Sequence, residues 1–476
     1  MSTVRRIAKN TLVLTLADII TRVLSLMLVV YIARYLGDVG FGRYSFAFAF
    51  CSLFLIMGDL GLGTLAVRDV ARDKSKASKY LGNLIPIKLI LSILMFGLIF
   101  IMINIMSYPP ITTLAVYVIG LSLTLGAFSN SFKFLFNAFE KMEYNAFVRI
   151  IEKVVVVSLG ISVLLAGYGL IEVVSAFLVG SVFSVFCCIL IIYKKFPRPK
   201  FEIDIDFWKS LLKQSIPFWI YGIFAPIYFY IDVVMLSMMK GDAVTGWYNA
   251  SYSLIAALVF IPAAFMTSVF PVVSVFFKTS KTALYTAYEK SFKYLFILVL
   301  PITIGTTLLA DKIIWGIYTI EFSNSILALQ ILIWAFLILS FNAVFKTVLG
   351  AIEKQIVMAK VATIGAGVNI ALNIILIPYL SLIGASIATV VTEGIMFLFY
   401  FNSVSIPVGT LPLYRICKKP IVAALLMGGC VYMLRDFNVI LVVILAAMVY
   451  FSIIYLVGSL SKEDINMFKG IFKVKP

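Results

Sequence analysis

The sequence predicts an all-α protein that crosses a membrane about 14 times, and two features of its composition carry that prediction. Of its 476 residues, 62% are hydrophobic and only 13% are charged, and the mean hydropathy is +1.08. A water-soluble chain of this length could not cover its surface with so few polar groups. The apolar stretches are also continuous and about 20 residues long, which suits membrane helices and exceeds the length of a barrel strand.

The apolar stretches follow one another with short connections, so they leave no room for a large soluble domain. They are residues 11–35, 42–65, 82–106, 111–136, 149–166, 170–193, 214–239, 246–272, 291–310, 326–349, 358–377, 380–402, 419–434 and 438–459. We number these predicted spans 1 to 14. The first is longer than the core of a signal peptide and has no cleavage site after it, which indicates an uncleaved helix.

The positive charges give the orientation of the chain in the membrane. The net charge is +17, with 39 Lys and Arg residues. Thirty of them lie in alternate connections that start with the N-terminus, and only five lie in the other connections. This asymmetry predicts that both termini are cytoplasmic and that the number of spans is even. It also explains the basic character without a nucleic-acid partner and predicts a multi-pass protein of the cell membrane.

The histidine and cysteine content of the chain excludes several kinds of catalytic and metal site. The chain has no histidine, which excludes histidine-based catalysis, metal ligation and pH sensing. Its five cysteines show no metal-binding spacing and are expected to pack in the membrane. The sequence therefore predicts neither a metal site nor a cofactor.

Two short motifs each occur twice and indicate an internal duplication. GDVGFGRY (37–44) and GDAVTGWY (241–248) both fall in turns on the outer side, and AFEK (138–141) and AIEK (351–354) both fall on the cytoplasmic side. Each copy is displaced by six spans, an even number, so the two halves have the same orientation. The glycines suit tight helical hairpins, and we interpret the turns as structural.

The duplication predicts the domain organisation. Residues 1–193 form an N-terminal lobe of spans 1–6, and residues 214–402 form a second lobe of spans 7–12. Residues 194–213 are a cytoplasmic linker that ends in an interfacial helix, and residues 403–476 add two spans and a basic tail.

Charged side chains inside the spans are the first candidates for function, because burying one in a membrane costs roughly 2.5–3.5 kcal/mol. Arg22 lies near the middle of span 1, with Asp18 one turn earlier on the same face. Either the two neutralise each other and fix helix packing, or their stripe lines a water-filled cavity. Arg34, at the outer end of the span, either guards the mouth of that cavity or meets the membrane interface.

Further polar groups occupy spans of both halves. In the first half, Lys88, Lys133 and Lys153 lie inside spans, where each either snorkels to the cytoplasmic side or joins the cavity. Asp59 precedes a run of small residues, and Asn130 shares the face of Lys133 and Asn137. In the second half the candidates are Asp232, Glu393 and the pair Asn369 and Asn373, which are either helix contacts or coupling groups.

The two halves thus differ in charge. Cations in the first half suit an anionic head group such as a phosphate or pyrophosphate. Carboxylates in the second half suit neutralisation of the empty cavity or binding of a coupling ion.

At the level of motifs the chain resembles a known family. The motifs are YIARYLG (31–37), FGRYSFAFAF (41–50), GDLGLGTLAVRDVAR (58–72) and YIDVVMLSMMKGDAVTGWYNASYSL (230–254). They are similar to those of the oligosaccharide (Wzx-type) flippases of the multidrug/oligosaccharidyl-lipid/polysaccharide superfamily.

The resemblance implies a V-shaped transporter with a central cavity. It would move polyprenyl-phosphate- or pyrophosphate-linked glycans to the outer leaflet by alternating access, for surface polysaccharide synthesis. By the same resemblance Arg22 is the foremost cavity cation, Arg34 the second, and Asp232 the recurrent acidic residue of span 7. Coupling to a proton or sodium gradient and contacts with glycan-assembly proteins are further expectations.

Two other functions stay open. One is a cation-coupled multidrug antiporter of the same superfamily, which would need acidic cavity residues such as Asp18 and Asp59. The other is a membrane glycosyltransferase or polymerase. The short outer connections argue against such an enzyme, because the longest predicted one (311–325) is too short for a catalytic domain and carries no paired acidic motif.

Overall fold

The structure is a computed structural model that describes residues 3–197 and 203–459, with backbone alone for residues 3–9, 11 and 217–225. The described residues form fifteen α-helices and three short 3-10 turns, and they contain no β-strand. The helices are α1 (Thr3–Leu53), α2 (Leu62–Arg72), α3 (Ala77–Ile105), α4 (Pro110–Ala138), α5 (Met142–Leu165), α6 (Leu170–Lys195), α7 (Ile205–Lys240), α8 (Asp242–Leu258), α9 (Phe260–Thr279), α10 (Lys281–Leu308), α11 (Ala310–Ile317), α12 (Ser325–Ala351), α13 (Gln355–Val408), α14 (Leu413–Met433) and α15 (Val439–Leu456).

Helices cover most of each of the fourteen predicted spans, and the longest break in α-helix within a described span falls in span 2. Ten helical segments of the described chain are long and apolar enough to cross a membrane. Two of them, Leu12–Leu53 with 42 residues and Gln355–Val408 with 54, each contain two spans, joined at Gly37 and at Ser381 respectively. Predicted spans 5 and 7 lie in α5 and α7. The prediction of an all-α, multi-pass membrane protein is confirmed.

Predicted span 2 differs from a simple helix. α1 ends at Leu53, a 3-10 turn follows at Leu55–Gly58, and α2 starts only at Leu62. Leu60 and Gly61 have left-handed backbone conformations, with φ of 47° and 76°. Leu60 has a side chain, which strains the backbone at such a φ. The helix of span 2 is therefore interrupted beside Asp59.

The duplicated motifs adopt matching backbone conformations. Gly37 has φ 67° and ψ −174°, and Gly241 has φ 85° and ψ −176°. Glu140 and Glu353 are both left-handed, with φ of 57° and 60°. The residue after each glutamate donates its backbone N–H to the carbonyl five residues before it, at 2.8 Å in both copies, which closes the preceding helix in the same way.

The two glycine-rich turns contact each other. A Cβ atom added to Gly42 would overlap the carbonyl oxygen of Asp242, and one added to Gly246 would overlap that of Asp38. The contact is reciprocal, because each glycine faces the aspartate of the other copy. Arg43 Nε also pairs with Asp242 Oδ2 at 2.8 Å. The glycines therefore serve close helix packing, as small residues do in membrane proteins.

The end of the linker is fixed to α3. Asp204 caps α7 by accepting a hydrogen bond from Phe207 N at 2.9 Å, and it pairs with Lys79 at 2.9 Å. The hydrogen bond from Lys79, together with the Phe207 N–H, holds the pKa of Asp204 below its usual value. Trp208 Nε1 donates to Asn83 Oδ1 at 2.9 Å. The predicted interfacial helix is thus the first part of α7, whereas residues 198–202 of the linker lie outside the described residues.

By compactness the chain divides into two units. One contains residues up to Ala257 together with Ala366–Ala385, and the other contains Leu258–Gly365 together with the residues from Ser386 onward. This division follows packing rather than the sequence repeat. The predicted lobes, with their boundaries at 193, 214 and 402, stay a prediction.

Candidate functional site

A cavity of about 750 Å³ opens within the first unit. Its lining combines charged, amide and hydroxyl groups with a few aromatic rings. The lining residues are Thr21, Arg22, Ser25, Phe48, Asp59, Gly63, Thr64, Val67, Ser122, Leu123, Gly126, Asn130, Lys133, Phe134, Asn137, Asn145, Arg149, Glu152, Lys153, Val156, Phe177 and Ser181. Such a polar interior needs water or a polar ligand inside a membrane protein.

The largest part of the wall is a polar stripe on α4. Ser122, Gly126, Asn130, Lys133 and Asn137 follow at intervals of three or four residues, so they share one face of the helix. The stripe is about 22 Å long at 1.5 Å per residue. The cavity therefore extends from the predicted cytoplasmic end of α4 to the middle of the membrane.

The opposing wall comes from α5. Its lining residues Asn145, Arg149, Glu152 and Lys153 again lie at helical spacing. Asn145 Nδ2 donates to Asn137 Oδ1 at 2.9 Å and so joins the two stripes.

Most of the charges around the cavity are paired. Lys133 Nζ lies 3.6 Å from Glu152 Oε2, and Arg149 pairs with Asp18 of α1. Asp18 therefore pairs with Arg149 of α5. It does not form the ion pair with Arg22 that was one of the two alternatives from the sequence. This pairing ties α1 to α5 and leaves the guanidinium of Arg22 at the cavity.

Arg22 and Lys153 are the cations of the lining that have no carboxylate within ion-pair distance in the described part of the chain. Arg22 is exposed to the cavity and has no hydrogen-bond partner among the described residues. Lys153 Nζ lies 5.9 Å from the centre of the Phe177 ring, within range of a cation–π contact. Two cations of the cavity thus form no ion pair with an acidic group of the described residues.

Lys88 lies behind the wall. Its side chain is fully buried, and its ammonium pairs with Asp59, whose side chain is 34% exposed and lines the cavity. Asp59 Oδ1 also accepts a hydrogen bond from Gly63 N at 3.2 Å. No other hydrogen-bond acceptor within the described residues serves the Lys88 ammonium. Lys88 thus contacts the lining residue Asp59 but does not line the cavity itself, and its predicted contact with a ligand stays a prediction.

Other candidates lie away from this cavity. Arg34 is exposed and is not part of the lining. Asp232 is buried, and its two carboxylate oxygens accept hydrogen bonds from Tyr248 Oη at 2.8 Å and from Asn373 Nδ2 at 2.5 Å. Asn373 also donates to Asn369 Oδ1 at 3.1 Å. These four residues form a compact polar cluster in the first unit, which we call the Asp232 cluster.

Glu393 belongs to the second unit. It is buried and accepts a hydrogen bond from Asn342 Nδ2 at 2.6 Å. The structure thus brings Arg22, Lys133 and Asp59 to one cavity and groups Asp232 with the two asparagines. Whether any of these residues binds a ligand stays a prediction.

Sequence reasoning missed some residues of the cavity. The missed residues are Arg149, Glu152 and Asn145 of α5. The signal that could have found them is their spacing with Lys153, because all four share a face of α5.

Known proteins with a similar sequence include two archaeal membrane proteins. The chain is 27% identical over 293 residues to an uncharacterized membrane protein of Methanocaldococcus jannaschii, and this match covers 58% of the chain and 55% of that protein. It is 22% identical over 391 residues to the probable low-salt glycan biosynthesis flippase Agl15 of Haloferax volcanii, with coverage of 82% and 81%. The chain thus spans about half the length of the first relative and most of the second.

Solved structures share the fold. The lipid II flippase MurJ in an inward closed conformation superimposes with a TM-score of 0.78 at 20% identity, over 92% of this chain and 98% of that one. An inward-facing multidrug resistance MATE family transporter of the MOP superfamily has a TM-score of 0.62 at 17% identity, over 81% and 95%.

Two family descriptions match the sequence itself. The MatE family matches residues 217–375, and the family described as polysaccharide biosynthesis protein matches residues 7–277. The second match covers more than half of the chain and includes every residue that lines the cavity. The chain therefore belongs to the polysaccharide biosynthesis protein family.

Proposed function

We propose that this protein moves a lipid-linked oligosaccharide, carried on a polyprenyl phosphate or pyrophosphate, from the cytoplasmic to the outer leaflet of the cell membrane. The observation that carries the proposal is the cationic cavity of the first unit. Family membership, the relative Agl15 and the fold shared with MurJ support the same class of cargo.

The charges of the cavity suit a phosphate group. The lining has four basic side chains, Arg22, Lys133, Arg149 and Lys153, and the acidic side chains in reach neutralise Lys133 and Arg149. The remaining two cations match the charge of a pyrophosphate. Arg22 can also form two parallel hydrogen bonds to phosphate oxygens.

The uncharged part of the lining suits a glycan. Asn130 and Asn137 on α4 and Asn145 on α5 offer amide donors and acceptors beside the cations. Sugar hydroxyls need both kinds of partner. A cavity that served only a lipophilic cation would have no use for this combination of arginine, lysine and asparagine.

The contact between the two glycine-rich turns suits alternating access. The turns pack tightly at the predicted outer side, where Asn249 Nδ2 also donates to Ser45 Oγ at 2.7 Å. For the cargo to leave outward, these contacts would separate. The lining meanwhile reaches the predicted cytoplasmic ends of α4 and α5, where the cargo would enter.

Coupling to an ion gradient is part of the proposal. The Asp232 cluster contains a buried carboxylate whose charge can respond to a proton or a sodium ion. In the proposed cycle the protein makes and breaks no covalent bond, so it acts as a transporter and not as an enzyme. Glycan-assembly proteins are its proposed partners.

The test is reconstitution into vesicles with a fluorescent polyprenyl-pyrophosphate glycan in the inner leaflet. We expect protein-dependent appearance of the lipid in the outer leaflet and at least a 30-fold slower rate for Arg22→Gln, because a lost charge-assisted contact to a buried anion costs about 2–5 kcal/mol. Lys360→Gln is the matched control, because Lys360 is an exposed cation at the predicted cytoplasmic end of span 11 and lies outside the cavity.

The same assay distinguishes the alternatives. The MatE match and the buried carboxylates of the second half keep a drug antiporter as the second candidate. Transport of lipophilic cations without movement of the glycan lipid would favour that candidate and contradict the flippase. A wild-type rate for Arg22→Gln would remove Arg22 from the site.

A further inference from the structure

A smaller pocket with one cation lies in the second unit, between α9 and α12. Its volume is about 400 Å³, within the range of about 300–1,000 Å³ that small-molecule sites have. α9 lines it with Met266, Thr267 and Phe270, and α12 lines it with Lys346 and Thr347. We call it the Lys346 pocket. Its lining lies within predicted spans 8 and 10 and shares no residue with the cationic cavity.

The internal repeat makes Lys346 the counterpart of Lys133. The motifs AFEK and AIEK are 213 residues apart, and the same displacement relates the ends of α4 and α12 and the two lysines. Each lysine lies five residues before the end of its helix, and each lines a pocket. The lysine therefore has the same place in both copies.

The two lysines differ in their counter-charge. Lys133 Nζ lies 3.6 Å from Glu152 Oε2. The second copy has Gly365 at the place of Glu152, and a Cβ added there would lie only 2.4 Å from Met396 Sδ. The half-buried side chain of Lys346 forms no ion pair or hydrogen bond with the residues that the structure describes. A cation in a membrane span needs water or an anionic partner, so this pocket suits a ligand with a negative charge.

The other lining groups suit a sugar. The hydroxyl groups of Thr267 and Thr347 donate to carbonyls of their own helices, at 2.8 Å and 2.9 Å. Their oxygens keep lone pairs that can accept hydrogen bonds from sugar hydroxyls. The Phe270 ring is 45% exposed, and its Cε2 would lie 3.5 Å from a Cβ added to Gly350, one turn after Lys346. The ring thus offers an apolar face near the lysine, against which the C–H face of a sugar can pack.

We propose that the Lys346 pocket binds an acidic sugar of the cargo glycan, with the sugar carboxylate at Lys346 and the sugar ring against Phe270. One cation matches the single charge of a uronic acid, whereas Arg22 and Lys153 of the cationic cavity match the charge of a pyrophosphate. The proposal rests on the proposed function, because it assigns the pocket to the glycan part of the same cargo. It predicts that the protein prefers lipid-linked glycans that contain a uronic acid.

The first measurement is saturation-transfer NMR of the full-length protein in detergent, with methyl glucuronide or methyl glucoside as the probe. We expect methyl glucuronide to bind about tenfold more tightly, which is near the lower end of what a hydrogen bond to a charged group contributes. Lys346→Gln should remove this preference, and Lys346→Arg should keep it. Phe270→Leu should weaken the binding of both sugars. The matched control is Lys360→Gln, an exposed cation outside the pocket, which should keep the preference.

The second measurement compares two fluorescent polyprenyl-pyrophosphate disaccharides in the vesicle assay, one ending in glucuronic acid and the other in glucose. Below saturation, Lys346→Gln should slow the acidic lipid about tenfold, by the same lost hydrogen bond. The rate for the neutral lipid should be unchanged, which also shows that the variant is folded. Lys360→Gln should move both lipids at the wild-type rate.

The two measurements separate the failure of the sugar site from the failure of the flippase function. Equal binding of the two methyl glycosides, or a preference that survives Lys346→Gln, would overturn the sugar site. Displacement of methyl glucuronide by equimolar acetate would show attraction to any carboxylate and would also overturn it.

The transport rates complete the separation. If both lipids moved in an Arg22-dependent way and Lys346→Gln slowed neither, the sugar site would be overturned and the flippase would stand. If neither lipid moved in the wild type while the NMR preference depended on Lys346, the flippase would be contradicted and the pocket would stand as an acidic-sugar site.

Discussion

The two copies of the repeat have the same turns but different polar groups. Gly37 and Gly241 match in backbone conformation, as do Glu140 and Glu353. The helices of the first copy nevertheless carry the cavity, in which Arg22 and Lys153 form no ion pair with the described residues, whereas Asp232 in the second copy is buried and accepts a hydrogen bond at each of its two oxygens. The two copies thus share the backbone geometry of their turns. They differ in the charged side chains inside the helices, which are the residues expected to function in transport.

The largest expected effect comes from the buried ion pair behind the cavity of the first copy. Asp59→Asn leaves the fully buried Lys88 ammonium without a counter-charge, so we expect a loss of about 3–5 kcal/mol in the free energy of unfolding. Lys88→Met leaves Asp59, which is partly exposed to the cavity, so its cost should be smaller. Thermal and denaturant unfolding in detergent measure both.

The double variant Asp59→Asn with Lys88→Met is the control for this asymmetry. It removes both charges and should recover most of the stability lost in Asp59→Asn. If Lys88→Met were the more damaging single change, Lys88 would contribute more than a counter-charge to Asp59.

The sequence predicted the repeat and the position of the cations, but not how the cations pair. Helical spacing showed that Arg22 and Asp18 share a face, and that is a local relation. Asp18 pairs with Arg149 because α5 packs against α1. A single sequence does not show which helices pack against each other. Lys88 shows the same limit, because its depth in the span was visible but the break in span 2 that brings Asp59 to it was not.

The next effect tests the contact between the two turns. Gly42→Ala and Gly246→Ala each place a Cβ against a carbonyl of the other copy, so each should cost about 1–3 kcal/mol and the two should cost similar amounts. Gly97→Ala is the control, because no atom outside its own helix lies within 4 Å of a Cβ placed there.

The same three variants also report on transport. Weakening the outer contact should reduce glycan-lipid flipping, whereas Gly97→Ala should leave the rate unchanged. If only one of the two glycine variants lost much stability, the two sides of the contact would contribute unequally to the free energy of unfolding. The two turns would then be alike in geometry but not in energy.

An effect of similar size is expected at Asp232. Asp232→Asn keeps the shape but replaces one acceptor oxygen with an NH2 group that faces a donor, either Tyr248 or Asn373, so we expect a loss of about 1–3 kcal/mol in the free energy of unfolding. Transport should lose its response to the ion gradient, while binding of the pyrophosphate lipid should be unchanged because Arg22 is intact.

Glu393→Gln is the comparison for that variant. Its carboxylate has an amide partner in Asn342 and lies in the second unit. If ion dependence were lost in Glu393→Gln and kept in Asp232→Asn, the coupling role would belong to Glu393.

The smallest effect is at the left-handed glutamates, where the two copies can be compared directly. Glycine has no penalty at a φ near 60°, whereas a side chain there costs about 1–2 kcal/mol, partly offset by the greater freedom that glycine has in the unfolded chain. Glu353→Gly should therefore raise the free energy of unfolding by about 0.5–1 kcal/mol. Glu140→Gly should give a smaller gain in the free energy of unfolding, because Glu140 makes a further interaction and Asn10 donates to its carbonyl at 3.3 Å, a contact that depends on the local backbone.

Paired thermal unfolding curves of the two variants measure the difference. Equal gains would mean that the repeat behaves symmetrically in energy as well as in shape, and a loss at both sites would mean that the glutamate side chains stabilise these turns more than the strained backbone costs.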